Sequence, residues 1–514
     1  MDAVDVLVVG AGPTGLSLAV ELARRGVAFR VVDAGPGPSV HSKALVIQPR
    51  TLEVFSTMGV VDEILRRSQP VFAVEPREHG KSLGRISFAD DTLDGPFSRP
   101  VMLRQAHTEA VLLEHLAGRG VTVQRRTELV GLEQDAQGVT AIMATGEQVR
   151  ARYLVGCDGS HSRVRQALGL TFEGSTYEND FIQVDCKVRW PLEEATGVGF
   201  LRQDGVMACL PLGQGVYRFI RIRQQRPADA PDEPRLSEFQ EVLDEELGQG
   251  VAELFDVEWI IRFRLHERMV DRYRVGRAFV AGDAAHIHTP AGGQGMNTGI
   301  QDVFNLAWKL ELVLADKAGD ALLDSYHLER HPVAADVLRA TDFLFRNALA
   351  GTNSVVRTLR SHVLPMVLGS KFVTSRAARM VSQLEVNVRK SPIVEDARFF
   401  PSGPHAGDRA PDAKFVGVDG KEHSVFAHLR GKGHVLFAHH VRTDQLRALT
   451  ALMDGVGDVV VADEGDELLE RYHLGDGPAT WVVRPDGYIG HRQNGGELDG
   501  VKRWLEKALD RATT

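Results

Sequence analysis

The hydrophobic pattern of this chain changes period along its length, and each change marks an element. Residues 4–9, VDVLVV, form a short apolar run broken only by Asp5, as a buried strand would. Residues 16–25 then read as a helix, and 28–32 as a second strand that stops at Asp33. A helix is expected from about Arg50, with Leu52, Phe55 and Met58 on one face; another, over 108–119, precedes strand 121–125. Segments 128–134 and 138–144 read as hairpin-like strands ahead of strand 150–155. Between 172 and 268 the pattern turns to alternation (Phe181, Gln183, Asp185, Lys187), as in a sheet with one covered face, interrupted by helix 236–247. Beyond it, strand 278–281 runs through a glycine-rich loop into a long helix. Ile300, Val303, Phe304, Ala307, Leu310, Val313 and Leu314 share one face of that helix. Residues 320–384 are mostly helical. After a stretch bearing proline and glycine at 401–411, strands 435–438, 459–462, 479–483 and 488–491 alternate with helices 445–452, 467–472 and 500–509. That is a compact α/β module.

Totals narrow the classes. At 514 residues the chain exceeds one core, so several domains are expected. A net charge of −9 disfavours a nucleic-acid partner, whose phosphates the overall field would repel. No apolar run is long enough for a membrane helix, and no basic leader precedes the first strand, so neither a membrane nor a secretory signal is expected. Cys157, Cys186 and Cys209 are the only thiols and have no CxxC spacing. A reducing, cytoplasmic setting follows.

The candidate chemistry lies where strands end. Gly10, Gly12 and Gly15 make GxGxxG between strand and helix: one glycine for the turn, one for a pyrophosphate against the backbone, one for helix–strand packing. Asp33, 23 positions after Gly10, is where a ribose hydroxyl would be held, and it disfavours a 2′-phosphate, so the dinucleotide is FAD or NAD. Asp158–Gly159 forms a second strand–turn–helix junction, with Arg163 and Arg165 nearby. In the third, Gly292, Gly293 and Gly295 let backbone approach a flat ligand, and the following helix aims its N–H groups there. Lys43 and Arg50 read equally as anion contacts or as surface charge. His286 and His288 lack a third ligand, so no metal is expected.

Together GAGPTG, CDGSHSRVR and GDAAHIHTPAGGQGMN, in this order, resemble the FAD-dependent aromatic hydroxylases, the single-component flavoprotein monooxygenases typified by para-hydroxybenzoate hydroxylase and phenol hydroxylase. The resemblance covers about residues 1–385. Through ATWVVRPDGYIGHR, the last part is similar to the thioredoxin-like C-terminal domain of the phenol hydroxylase branch, without CxxC, and is expected to be dimer-forming or fold-stabilising.

The resemblance implies an α/β fold. A discontinuous, glutathione-reductase-type FAD-binding domain (1–171 and 269–330) would carry a substrate-binding sheet domain (172–268), a helical segment (331–394) and the thioredoxin-like domain (395–514). It assigns Gly10, Gly12, Gly15 and Asp33 to the ADP half of FAD, Lys43 and Gln105 to the pyrophosphate and ribityl region, and Leu129 to adenine through its backbone. Asp158 would serve the second motif and Asp283 the ribityl chain. Gly293 and Gly295 would flank the flavin, with the Met296 and Asn297 backbone N–H groups at its N1–C2=O edge and Pro290 lining the hydroperoxide pocket. His161 and Arg165 would contact NADPH or NADH.

The implied reaction takes hydride from NAD(P)H to FAD, adds O₂ to give a C4a-hydroperoxide, and transfers oxygen to a small aromatic substrate, a phenol or polyketide phenol. Two rivals remain: a flavin monooxygenase acting on a non-aromatic carbon, of Baeyer–Villiger or antibiotic-modifying type, and a non-catalytic flavoprotein scaffold. A halogenase lacks its Trp-x-Trp-x-Ile-Pro here. Substrate lining is expected in the sheet domain around Phe200, Met207, Cys209, Leu210, Pro211, Tyr217 and Phe219.

Overall fold

A computed structural model describes residues 4–39, 44–88, 93, 95–227, 232–289, 291–349, 371–397 and 402–510. Its first sheet grows from the opening apolar run. Strand Val4–Val9 lies parallel between Phe29–Val32 and Gln148–Gly156, with Val8 opposite both Val31 and Val155. Ala278–Val280 adds parallel to the far side of Gln148–Gly156. The hairpin Leu129–Asp135 and Gly138–Met143 extends one edge. Helix Pro13–Arg25 packs on the long helix Gly295–Leu314, and Gly299 makes the approach close: a Cβ there would stand 2.6 Å from the Thr14 hydroxyl and 3.0 Å from Gly282 Cα.

The second sheet has the order Glu253–Phe263, Asp180–Arg189, Val216–Arg223, Gly205–Gly213, Thr196–Leu201, Ala73–Glu78, Lys81–Ser82. The sequence division places 73–87 in the first domain. In the structure Ala73–Glu78 pairs parallel with Thr196–Leu201, so this sheet too is built from two separate chain segments. One face is filled by Ile182, Val184, Cys186, Phe200, Met207, Cys209, Tyr217 and Phe219 packed with Phe239, Val242 and Leu243 of helix Ser237–Leu247. The other turns Leu210 and Leu212 towards Leu45, Val46 and Met102 of the first domain.

A boundary at 330/331 does not exist as a break, because helix Asp324–Leu349 runs through it. The C-terminal sheet has the order Glu395–Asp396, Ile489–Asn494, Ala479–Val483, His434–His439, Gly457–Val461, with the last two parallel and Ala479–Val483 antiparallel to its neighbours. Its helices Thr443–Met453 and Leu498–Ala508 share one apolar core with the first domain, Leu449, Met453 and Trp504 joining Leu16, Leu310 and Val313. No described helix is long and apolar enough to cross a membrane.

Polar groups key the module in place. Arg484 donates Nη1 and Nη2 to the two oxygens of Glu329 (2.7 and 2.8 Å) and Nε and Nη2 to Asp486 (3.0 and 2.5 Å). Lys309 and Asn305 of the long helix complete the network, Lys309 Nζ reaching Glu329 at 2.8 Å and Asn305 Nδ2 reaching Asp486 at 2.8 Å. Burial alone would raise the Glu329 carboxyl, but Arg484 and Lys309 more than offset it and hold it well below the usual range. Burial pulls Lys309 down to about 8. Arg50, expected as surface or anion contact, is instead buried, donating to Glu53 (2.8 Å) and to the Asp486 carbonyl (2.6 Å).

Candidate functional site

Parallel strands end on one edge of the first sheet, and those ends carry the chemistry. Val9, Val32, Gly156 and Val280 are followed by Gly10, Asp33, Cys157–Asp158 and Ala281–Gly282–Asp283. In open α/β sheets this carboxyl edge is where ligands bind. A cavity of about 700 Å³ opens there, lined among others by Gly10, Gly12, Asp33, Leu129, Asp158 and His161.

Its glycines divide the work as GxGxxG requires. Gly10 has φ 103°, and a Cβ would stand 2.3 Å from the Cys157 carbonyl oxygen; Gly15 would meet the Gly10 carbonyl at 1.9 Å. Gly12 meets nothing within 4 Å, leaving backbone open to the cavity just before helix Pro13–Arg25. Asp33 braces the turn, accepting from the N–H groups of Ala11 (2.7 Å) and Gly35 (2.8 Å), with Arg125 Nη1 at 3.2 Å. These residues fit an ADP moiety: an open helix N-terminus for pyrophosphate and a carboxylate beside it.

Asp158, which lines the same cavity, also organises the turn behind it. It accepts from the Ser162 hydroxyl (2.5 Å) and from the N–H groups of Arg163 (2.7 Å) and Val164 (3.1 Å), capping the short helix Arg163–Ala167. Burial raises its carboxyl despite those bonds.

Arg165 is a correction. Its guanidinium is buried, donating to the Ala284 carbonyl (3.1 Å) and the Ser160 carbonyl (2.8 Å) and lying 3.9 Å over the Phe172 ring. It therefore ties the second motif to the third and does not offer its charge to a nicotinamide dinucleotide. His161 and Arg163 are the exposed basic side chains lining the cavity.

The third motif lies outside this cavity, further along the same edge. Gly292 and Gly293 have φ 73° and 62°, and a Cβ on Gly293 would collide with Val46 at 2.6 Å. The first intrahelical bond runs from Thr298 N–H to the Gln294 carbonyl, so the N–H groups of Gly295, Met296 and Asn297 precede the helical ladder. The Asn297 side chain is wholly engaged: Oδ1 accepts from Gln48 N–H (2.9 Å), and Nδ2 donates to the Val46 (2.8 Å) and Gly293 (2.7 Å) carbonyls. It fixes where the helix starts. Asp283 is exposed on the turn Gly282–Ala284. Gln105 accepts from Ala44 N–H (3.3 Å) and donates to Glu109 (2.9 Å), holding the segment that enters Val46–Ile47. Lys43 and Pro290 lie outside the described residues.

Sequence reasoning missed the support beneath this motif. Asp302, fully buried, binds His286 Nε2 (2.7 Å), the Gly282 N–H (3.3 Å) and Arg330 Nε (2.8 Å). Burial would raise its carboxyl, but His286 and Arg330 hold it below the ordinary value. His288 stacks parallel to His286, and burial brings it down to about 4.

The expected substrate lining also needs revision. Phe200, Met207, Cys209, Tyr217 and Phe219 face helix Ser237–Leu247 and are core. The opposite face of this sheet, on which Leu210 turns towards Leu45 and Val46, carries the row Leu210, Arg218, Asp185 and Trp259, aligned across neighbouring strands. Arg218 meets Asp185 through two bonds of 2.7 and 2.8 Å, and Trp259 Nε1 donates to Asp185 at 2.9 Å.

Comparison with known proteins agrees in outline. The family described as FAD binding domain matches residues 3–341, and that described as aromatic-ring hydroxylase, C-terminal, matches 403–512. The chain is 40% identical over 339 residues to a rifampicin monooxygenase of Streptomyces venezuelae, covering 66% of this chain and 70% of the relative. It is 34% identical to the 12-dehydrotetracycline 5-monooxygenase/anhydrotetracycline 6-monooxygenase of Streptomyces rimosus over 94% of each chain. The solved ternary complex of aklavinone-11 hydroxylase with FAD and aklavinone superposes with a TM-score of 0.81 at 28% identity, covering 99% of both chains.

Proposed function

The chain belongs to the FAD-binding aromatic-ring hydroxylases and is an FAD-dependent monooxygenase, and from that premise we propose that it hydroxylates a polycyclic phenol of polyketide type. What carries the substrate reading is the match along nearly the whole chain, C-terminal module included, to an enzyme named for tetracycline-type substrates. Bound FAD supplies the redox chemistry, taking hydride from NAD(P)H and activating O₂.

This chain's own residues bind and orient. We assign Gly10, Gly12 and Asp33 to the ADP half, Leu129 to an adenine contact, and Gln105 and Asp283 to the ribityl side. The N–H groups of Met296 and Asn297 are assigned to the flavin N1–C2=O edge, where preorganised dipoles stabilise developing negative charge. Asn297 and Asp302 are positioning residues for that turn. Arg163 and His161 are assigned to NAD(P)H. The row Arg218, Asp185 and Trp259, flanked by apolar Leu210, is assigned as a stiff wall against which an oxygenated ring system is aligned and water excluded. For the C-terminal module, the shared core and the Arg484 network support a fold-stabilising role within one chain, and sedimentation would settle whether a homodimer forms as well. Three buried free thiols fit a cytoplasmic setting.

A second reading, oxidative modification of a finished antibiotic, is favoured by the 40% identity to a rifampicin monooxygenase. One assay separates the two. NADPH oxidation by the FAD-loaded protein is followed with tetracyclic phenols and with rifampicin, hydrogen peroxide and product being measured together. Hydroxylated phenol with little peroxide supports the first reading. Turnover of rifampicin alone supports the second, and peroxide without product from either class defeats both as the true substrate.

A further inference from the structure

His439 closes strand His434–His439 of the C-terminal sheet, with His440 next to it and Asp463 just beyond the parallel strand Gly457–Val461. One ring nitrogen from each histidine and a carboxylate oxygen of Asp463 lie within 4.8 Å of one another. The two imidazoles stack, centroids 4.0 Å apart.

Neighbouring carbonyls set the tautomers. Nδ1 of His439 lies 2.9 Å from the Ala462 carbonyl oxygen, and Nδ1 of His440 lies 3.3 Å from that of Asp476. A carbonyl only accepts, so each Nδ1 carries the proton and each Nε2 presents its lone pair. An imidazole whose far N–H is held by a carbonyl is the usual outer support of a metal-binding histidine. The Nε2 of His439 is fully buried and has no hydrogen-bond partner, an arrangement that is destabilising unless something meets it. Asp463 is already drawn in, accepting the backbone N–H of His440 at 2.5 Å.

We propose that His439, His440 and Asp463 bind a divalent transition metal of the zinc type, at a site separate from the oxidative centre. Two neutral imidazoles and one carboxylate suit borderline ions such as Zn²⁺, whereas Mg²⁺ and Ca²⁺ prefer all-oxygen sets. Ligand atoms on one tetrahedral zinc stand about 3.3 Å apart, from metal–ligand distances of about 2.0–2.1 Å. The cluster must contract to reach that spacing. His440 is exposed and Asp463 half-buried, so both can move while buried His439 stays as the anchor. Three protein ligands leave the fourth position for water or another donor.

The test uses the full-length, untagged, FAD-loaded protein after chelator treatment and dialysis. Zn²⁺ is titrated calorimetrically, and Co²⁺ serves as a second probe through its visible absorption. The wild type is compared with His440→Ala and Asp463→Ala, whose side chains are accessible enough to be lost without opening the core. About one ion per chain is expected, each variant weakening binding roughly tenfold or more while NADPH oxidation stays unchanged. A wild type that binds Zn²⁺ no more tightly than either variant, or shows no tetrahedral Co²⁺ spectrum, overturns the proposal.

Discussion

Replacing Gly12 by alanine separates the cofactor role of the opening loop from its structural one. The new methyl would meet no atom within 4 Å, and the backbone there, φ −80° and ψ −175°, suits any residue. Apoprotein stability should therefore change by less than about 1 kcal/mol, through the stiffened unfolded chain. Gly15→Ala is the contrast: its methyl falls 1.9 Å from a carbonyl oxygen, so backbone must shift, at roughly 2 kcal/mol or more. The space over Gly12 is where a pyrophosphate would reach the helix N-terminus. Filling it removes one or two charge-assisted hydrogen bonds of about 1.5–3 kcal/mol each. With about 1.4 kcal/mol per factor of ten, the FAD Kd should rise roughly ten- to a hundredfold per bond lost. Flavin-fluorescence titration of the apoprotein, run beside its melting curve, reads both quantities. Wild-type FAD affinity in Gly12→Ala would refute the placement of the pyrophosphate. A large loss of apoprotein stability would refute the claim that the site is sterically open.

Further expectations concern the module, the pH response and the reductant. Arg484→Met leaves Glu329 and Asp486 buried with Lys309 as their remaining ionic partner, at about 3–5 kcal/mol, which lowers Tm by about 3–5 °C for a chain of this length; an unchanged Tm would mean that apolar contact alone docks the module. His434, wedged between Trp308 and Trp504 with neither ring nitrogen paired, is brought by burial to about 4. Its folded value lies below the unfolded one of about 6.5, so its contribution is whole above pH 6.5 and lost as pH falls through 4, about 3 kcal/mol in all. Urea midpoints of His434→Phe should fall less steeply over that window, and His288 should act in the same range. Arg163→Ala should raise KM for NADPH severalfold at unchanged Tm, while Arg165→Ala should lower Tm; the reverse outcome would restore Arg165 as the contact.

The strand ends were legible because Gly and Asp punctuate apolar runs at Gly10, Asp33, Asp158 and Gly282–Asp283, a purely local signal. Partners far along the chain were not. Nothing near Arg165 tells that its guanidinium is taken by the Ala284 carbonyl, and nothing near Asp302 announces Arg330. Which side chains of the second sheet pack under its helix was not legible for a related reason. Both faces of strand Val216–Arg223 are largely buried, so Tyr217 and Phe219 look as suitable as Arg218, and a one-residue offset exchanges the faces. Ala73–Glu78 joins its sheet by a parallel pairing that leaves no turn signal to follow. Arg484 and Asp486, quoted as part of a family-like string, gave no hint that they reach into the long helix.

The layout of the first sheet also sets a timetable for synthesis. Gln148–Gly156 needs Val4–Val9 on one side and Ala278–Val280 on the other, so more than half the chain must emerge before the sheet can close. At roughly 5–20 residues per second, the opening strand waits about 15–50 s for that neighbour. During this interval the nascent helix Pro13–Arg25 has no long helix to cover its apolar side, and the nucleotide cradle lacks its third wall. FAD can therefore template folding only late in translation. Chains that terminate before Ala278 should pass to chaperones and proteases rather than accumulate as yellow protein.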